Sequence, residues 1–360
     1  MDSKKPYLFD LDEPELAELV SSWGEPAYRA RQIWTGLYTE LWSDLSEYTT
    51  LPKAFRAFVQ ENADYSRIRS ERETVSADGQ TTKNLLRLPA GESIEAVWMR
   101  YDRRDTLCIS TQAGCALGCV FCATGQMGLM RNLSSGEIVE QVVFFARQMK
   151  SAGRRPTNIV LMGMGEPFHN YSAVMAAIER LNHPEGMNLG ARRFTISTVG
   201  LIPGIERFTA ENRQVNLAIS LHAADDELRS SLLPINRKYP LAELMKACRA
   251  YVQQTGRRIS FEWALIQDVN DGPLHAYRLA GLLKGLNCHV NLIPLNPTRG
   301  YAGKASPRQR AREFCQIMTN AQFPCTIRLR RGIDIDAGCG QLASGSSPLS
   351  PPPERLQVQG

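Results

Sequence analysis

Seven short apolar runs recur along residues 106–330, with amphipathic stretches filling the gaps between them. They are "TLCIST" (106–111), "NIVLMG" (158–163), "FTIST" (194–198), "VNLAISL" (215–221), "ISFEWALI" (259–266), "HVNLIPL" (289–295) and "CTIRLR" (325–330). Their near-continuous hydrophobicity is the pattern of strands buried on both faces. Among the intervening segments is "SGEIVEQVVFFARQMKSAG" (135–153), where Ser135 is placed to cap a helix and Gly153 to end it. Repeated β-α units dictate a parallel sheet with right-handed crossovers, closed as a barrel or doubly wound.

The first 90 residues have another texture. "EPELAELVSSWG" and "EPAYRARQIWTGLY" carry apolar residues at helical spacing with Gly24 as a stop, and "LPKAFRAFVQEN" adds a third helix with Pro52 near its start. The expected organisation is a helical domain over 1–90, a β/α core over 91–341 and a flexible Pro/Ser-rich tail over 342–360. A chain of 360 residues suits two domains, and 43% hydrophobic against 22% charged residues excludes global disorder. No apolar run approaches the ~18 residues of a membrane helix. "MDSKKPYLFDLDEPEL" lacks a secretory apolar region, so a cytoplasmic location is expected. The net charge of +5 permits a nucleic-acid partner without requiring one. Arg29, Arg31, Lys53 and Arg56 form either a solvated helix face or a grip on RNA backbone.

Nine cysteines in a chain of this length point to metal or redox chemistry rather than a disulfide scaffold. "CALGCVFC" sets Cys115, Cys119 and Cys122 in a C-x3-C-x2-C pattern, one ligand short of the usual four. A zinc site would need a fourth ligand, for which Cys108 and His169 are the nearest candidates, and the spacing is not a usual zinc spacing. An iron–sulfur cluster, which prefers thiolates, suits it better. Three thiolates on a 4Fe–4S cube leave one iron open to chelate an amine and a carboxylate. Phe121, just before the last cysteine, is placed to shield the cluster.

Four polar motifs directly follow strands: "MGMGEP" (162–167), "STVG" (197–200), "SLH" (220–222) and "PLNP" (294–297). The first is not G-x-G-x-x-G, so a dinucleotide fold is poorly supported. Each alone reads as a turn. Four together, at the strand ends where parallel β/α folds gather function, form a constellation.

The cysteine pattern with its aromatic, at the start of a β/α region, resembles the radical S-adenosylmethionine (SAM) superfamily. Within it the chain resembles the RlmN/Cfr family through "YRARQIW", "LPKAFR", "CISTQAGCALGCVFCATGQMG", "LAISLHA", "LLPINRKYPL", "HVNLIPLNP" and "RGIDIDAGCGQL", spread over nearly its whole length. The resemblance implies a partial (β/α)6 TIM-like barrel with a small N-terminal helical domain. It implies one 4Fe–4S cluster on Cys115, Cys119 and Cys122, and two SAM per turnover, bound by Gly165, Glu166, Ser197, Ser220, Leu221, His222 and Asn296.

The family methylates adenine in 23S rRNA and in tRNA, and the implied roles follow from that chemistry. Carbon 2 of adenine is too electron-poor to attack a methyl sulfonium, so the methyl is first parked on a cysteine, here Cys339, and added by radical chemistry. Glu95 stands at the proton-acceptor position. Cys108 stands at the resolving position, where it would form a transient disulfide with Cys339. Taken alone, Glu95 reads as an exposed strand carboxylate and Cys108 as a core residue. Cys248, Cys288, Cys315 and Cys325 match no motif and read as packing. Gly338 departs from the alanine common in the family, which is expected to loosen the Cys339 loop.

A flavodoxin-type reductant and a monomeric state are further expectations of the resemblance. Arg328, Arg330 and Arg331 join the candidates for RNA contact, Arg328 and Arg330 on one side of a strand. A Cfr-type carbon-8 methyltransferase would share every one of these residues. A non-catalytic metal-containing RNA-binding protein would not require Cys108, Cys339 and the strand-end motifs together.

Overall fold

The computed structural model describes residues 5–343. Three helices come first: α1 (Glu13–Ser22), α2 (Tyr28–Thr35) and α3 (Lys53–Asn62). Asp12 and Glu15 make reciprocal capping hydrogen bonds of 2.8 Å at the start of α1, with a proline in its first turn. Three antiparallel strands follow, β1 (Arg69–Val75), β2 (Thr81–Arg87) and β3 (Ser93–Tyr101). Strands β1 and β2 lie where the sequence predicts helical structure; the helical part ends at Asn62. The charge-rich "RSERETV" of β1 carries no apolar alternation and is a strand because it edges β2.

The seven apolar runs all contain strands. These are β4 (Arg104–Cys108), then, after a small hairpin of β5 (Gln112–Cys115) and β6 (Gly128–Asn132), β7 (Asn158–Leu161), β8 (Phe194–Thr198), β9 (Asn216–Ser220), β10 (Ile259–Leu265), β11 (Cys288–Pro294) and β12 (Cys325–Ile327). They pair in parallel in chain order, and β4 joins β3 antiparallel, giving one ten-stranded sheet. Between β5 and β6 sits a short turn of helix, α4 (Ala123–Gln126). The crossovers are α5 (Ser135–Ser151), α6 (Tyr171–Asn182), α7 (Ile202–Ala210), the pair α8 (Asp226–Leu232) and α9 (Leu241–Thr255), α10 (Pro273–Leu283) and α11 (Arg308–Asn320). Six β/α units ending in the short β12 are the partial barrel that the resemblance implies.

Ser134, not Ser135, caps α5: its hydroxyl accepts from the Glu137 N–H (3.2 Å) while Glu137 accepts from the Ser134 N–H (2.9 Å). The sheet's outer face holds Phe194, Ile196, Leu217, Ile219, Phe261, Trp263, Val290 and Leu292, all buried. Each such side chain contributes about 1.5–3 kcal/mol on leaving water. The tail expected from residue 342 lies outside the described residues from 344 onward; Leu342 is buried and Ala343 is hydrogen-bonded. Among the described residues no helix is long and apolar enough to cross a membrane.

One carboxylate fastens the N-terminal helices to the core. Glu140 on α5 accepts from the Tyr7 and Ser66 hydroxyls and from the backbone N–H groups of Arg67 (3.0 Å) and Ile68 (3.1 Å). One turn earlier, Gly136 donates to Asp10 (2.7 Å), and a Cβ there would lie 2.7 Å from backbone atoms of Phe9 and Asp10. Glu140→Ala orphans two buried amides and a phenol. At about 1–3 kcal/mol per orphaned group, part of it recovered by relaxation, urea unfolding should show about 2–4 kcal/mol of lost stability.

Candidate active site

Strand register decides which side chains meet. Parallel partners share a face, and Cys108 pairs with Val160, Val160 with Thr195 and Thr195 with Asn216. Ser220 pairs with Glu262, and Glu262 with Asn291. Stepping by two along each strand places Cys108, Met162, Ser197, Ser220, His222, Glu262 and Asn291 on the inner face. The same face continues in β3, where Val97 pairs with Cys108 and Glu95 stands two residues away. The inner face is thus polar where the outer face is apolar. Most of these residues wall a cavity at the C-terminal ends of the strands.

The three-cysteine loop covers one side of this cavity. Cys115 ends β5, Cys119 is buried, and the Cys122 N–H donates to Cys119 O (3.1 Å). Val120 N–H bonds Leu232 O (3.1 Å) and Gln126 bonds Val120 O (2.8 Å), which pins the loop to α8 and α4. Phe121 packs edge-on against the His222 ring at 5.1 Å. Burial pushes the Cys115 thiol up to about 12 and the Cys119 thiol well above its ordinary value, with Glu166 and neighbouring thiols adding to each. Such a group holds thiolates only when a cation is present. Among the described residues no three His, Cys, Asp or Glu side chains converge on one ion position. An all-thiol donor set spread along a loop fits an iron–sulfur cluster.

The strand-end motifs line the cavity opposite. Gly165 adopts φ +101°, and a Cβ there would lie 2.6 Å from Gln112 Cβ. Glu166 is buried and engaged: its carboxylate accepts from the N–H groups of Phe168 (3.0 Å) and Val199 (3.0 Å). Burial pushes it up to about 7, against the pull of those bonds. The Ser197 and Ser220 hydroxyls are 3.4 Å apart. His222 sits at φ +61°, and its Nδ1 accepts from the Ala264 N–H (2.9 Å), which puts the ring proton on Nε2. Burial first, and the Arg229 charge second, lower its pKa to about 3, so the ring is neutral. Asn296 Oδ1 is buried with no partner among the described residues, an acceptor left for a ligand. Leu221 is fully buried behind this wall and contributes backbone, its N–H donating to Glu262 O (3.0 Å).

Cys339 reaches the cavity from the C-terminal loop and is exposed there. Asn296 Nδ2 donates to Cys339 O (3.0 Å), and the Ala123 N–H donates to Gly340 O (2.8 Å), tying this loop to the three-cysteine loop. Gly338 does not loosen it. A Cβ at Gly338 would meet Asn296 Nδ2 at 2.5 Å and Gln341 Oε1 at 2.6 Å, so the glycine lets the loop close tightly. Cys108 and Cys339 are both free thiols. Burial pushes Cys108 up to about 12, Cys339 adds to this, and Arg328 opposes it.

Glu95 is not exposed. It is buried and is not among the residues lining the cavity, with Lys83 Nζ at 3.0 Å from Oε1 and the Ala343 N–H at 2.7 Å from Oε2. Burial raises its pKa and Lys83 lowers it.

Sequence reading missed three inner residues: Glu262, Asn291 (bonded to Glu262 Oε2 at 2.6 Å) and the buried Arg229. Arg229 donates to the carbonyls of Val199 (2.6 Å), Ser220 (3.2 Å) and Leu221 (3.1 Å), gathering the ends of β8 and β9. For Glu262 and Asn291 the available signal is a polar residue interrupting an apolar strand. Of the basic candidates, Arg29 and Arg56 are spent on carbonyls of Thr50 and Ser46. Arg31 and Lys53 point outward. Because β12 ends at Ile327, Arg328 and Arg330 do not share a strand face; with Arg331 they line a second cleft beside Cys339.

A family described as the radical SAM superfamily matches residues 109–280, and one described as the ribosomal RNA large subunit methyltransferase N-terminal domain matches residues 7–64. A probable dual-specificity RNA methyltransferase RlmN of Chloroflexus aurantiacus is 50% identical over 351 residues, covering 94% of this chain and 93% of that protein. The dual-specificity RNA methyltransferase RlmN 1 of Myxococcus xanthus is 48% identical over 335 residues, covering 93% of each. The crystal structure of a radical SAM methyltransferase from Sphaerobacter thermophilus superposes with a TM-score of 0.93 at 51% identity, covering 94% of this chain and 100% of that one.

The neutral His222 gives a pH signature. Its folded pKa lies below that of the unfolded chain, so its stabilising share is complete above about 6.5 and is lost as pH falls towards about 3. The slope is at most about 1.4 kcal/mol per pH unit. His222→Asn, which tolerates the left-handed backbone, should flatten the acid side of a stability–pH curve measured by urea unfolding.

Proposed function

Because the chain belongs to the RlmN family of radical SAM methyltransferases, we propose that it methylates carbon 2 of an adenosine in 23S rRNA, and an adenosine in tRNA, through an S-methylcysteine at Cys339. The observation that carries this reading is the position of Cys339. It stands at the wall of the cavity that Cys119 and Cys122 also line, with its carbonyl held by Asn296. A methyl carrier needs this placement, because its sulfur must face SAM, the base and a second thiol in turn.

Cys115, Cys119 and Cys122 would hold a 4Fe–4S cluster. Bound there with SAM, it supplies the one-electron chemistry of the superfamily, with electrons from a flavodoxin-type reductant and two SAM used per turnover. Gly165 brings the backbone close to SAM, and Glu166, Ser197 and Ser220 offer acceptors to its ammonium and ribose. Neutral His222 donates from Nε2, and Asn296 offers its free Oδ1.

The remaining steps belong to side chains. The Cys339 sulfur carries the methyl and becomes joined through that carbon to the adenine. Glu95 accepts the proton that leaves the ring. The Cys108 thiolate attacks the Cys339 sulfur, the bond from sulfur to the transferred carbon breaks, that carbon keeps the electron pair and takes up a proton to become the methyl, and the methylated base departs. The Cys108–Cys339 disulfide takes up two electrons before the next turnover. Its raised pKa keeps Cys108 a quiet thiol at rest. The chain would act as a monomer, with outward basic groups such as Arg31, Lys53 and Arg330 meeting phosphates.

Cys339→Ala should abolish RNA methylation. Cys108→Ala should leave enzyme and labelled RNA joined on a denaturing gel. Free turnover by Cys108→Ala would overturn the resolving role, and mass analysis of the modified nucleoside separates carbon 2 from carbon 8.

A further inference from the structure

We propose that Lys83 is a positioning residue for release of the methylated base: it keeps Glu95 an aimed anion and ties that carboxylate to the loop carrying Cys339. This rests on the proton-acceptor role given to Glu95 above. The pairing follows from register. Lys83 on β2 is opposite Val97 and Leu85 is opposite Glu95, so Lys83 and Glu95 are diagonal neighbours on one face of an antiparallel pair. Val97 is in turn opposite Cys108 on β4, which puts lysine, glutamate and thiol on a single patch of the inner face.

The ammonium makes two contacts there. Nζ lies 3.0 Å from Glu95 Oε1 and donates to the carbonyl of Asp336 (3.1 Å), three residues before Cys339. Both side chains are largely removed from water, at 10% and 2% exposure, so the pair is not the screened kind whose worth is near zero. Oε1 is thereby occupied, and Oε2, which among the described residues meets only the Ala343 N–H, is the oxygen left to exchange that contact for a substrate proton. The groups facing the carboxylate are Lys83 from β2, Arg72 from β1 and the Ala343 amide from the C-terminal segment. Arg72 is exposed, so Lys83 is the charge that counts. Without it, the main opposition to burial is gone and the carboxyl shifts further towards the protonated form, which cannot accept.

The test compares Lys83→Met, Lys83→Arg and Glu95→Gln in the full chain, reconstituted anaerobically with cluster, SAM and RNA. Cys339 S-methylation, read by protein mass, precedes any use of Glu95 and should match wild type in Lys83→Met. The protein–RNA adduct should accumulate in that variant, and its release should be slower about tenfold for each unit the carboxyl rises above ambient pH. Release should recover as the pH is raised, and Lys83→Arg should restore the wild-type profile.

A Lys83→Met enzyme with the wild-type release rate and pH profile would overturn the proposal. So would joint loss of S-methylation and adduct, which marks misfolding, or failure of Lys83→Arg to restore release. Adduct trapping by Glu95→Gln alongside free turnover by Lys83→Met sinks the lysine role only. Normal release by Glu95→Gln sinks the role of Glu95 and the present inference with it.

Discussion

The side chains of this protein are sorted by the register of its parallel strands. Once Cys108, Thr195, Asn216, Glu262 and Asn291 are aligned across the sheet, every second residue along each strand is committed to the interior. The alternate set, Phe261, Trp263, Val290 and Leu292 among it, is committed to the helices. A slip of one residue in any strand would exchange the two sets, burying carboxylates and serines under helices and turning Trp263 into the cavity. The apolar side therefore enforces the position of the polar side, and hydrophobic packing provides the precision that the chemistry uses.

Buried polar groups finish what the register begins. Arg229 collects three carbonyls at the ends of β8 and β9, and Asn270 bonds the carbonyls of His222 (2.8 Å) and Ala264 (2.7 Å). These contacts hold the backbone just past the strands, where it leaves the sheet and has no ladder to satisfy it. Glu140 does the same at the other boundary, joining the first residues of the chain to α5.

Much of this was legible in the residues. The seven parallel strands follow from apolar runs long enough to be covered on both sides, and the cavity from four polar motifs that directly follow them. The three cysteines declare themselves by spacing. What was not legible is mostly non-local. Strand β1 has no pattern of its own and takes its form from β2. Glu95 reads as a surface carboxylate because nothing nearby in sequence announces Lys83 or the returning segment at Ala343 that bury and bond it. Glu262 and Asn291 are hidden inside runs whose other members are apolar. Gly338 was read for freedom, whereas its neighbours Asn296 and Gln341 approach so closely that it serves compactness.

The backbone of the loop bearing Cys339 is held at either end, at Arg328, whose N–H bonds Leu292 O (2.8 Å), and at Gly340, whose carbonyl bonds the Ala123 N–H. A chain advances roughly 3.3 Å per extended residue, while two sulfurs bond at about 2.05 Å. One residue gained or lost between these anchors would misplace the thiol by more than a whole bond length. The number of residues between Arg328 and Gly340 is therefore as much a reagent as the cysteine it delivers, and substitutions there should be far better tolerated in evolution than changes of length.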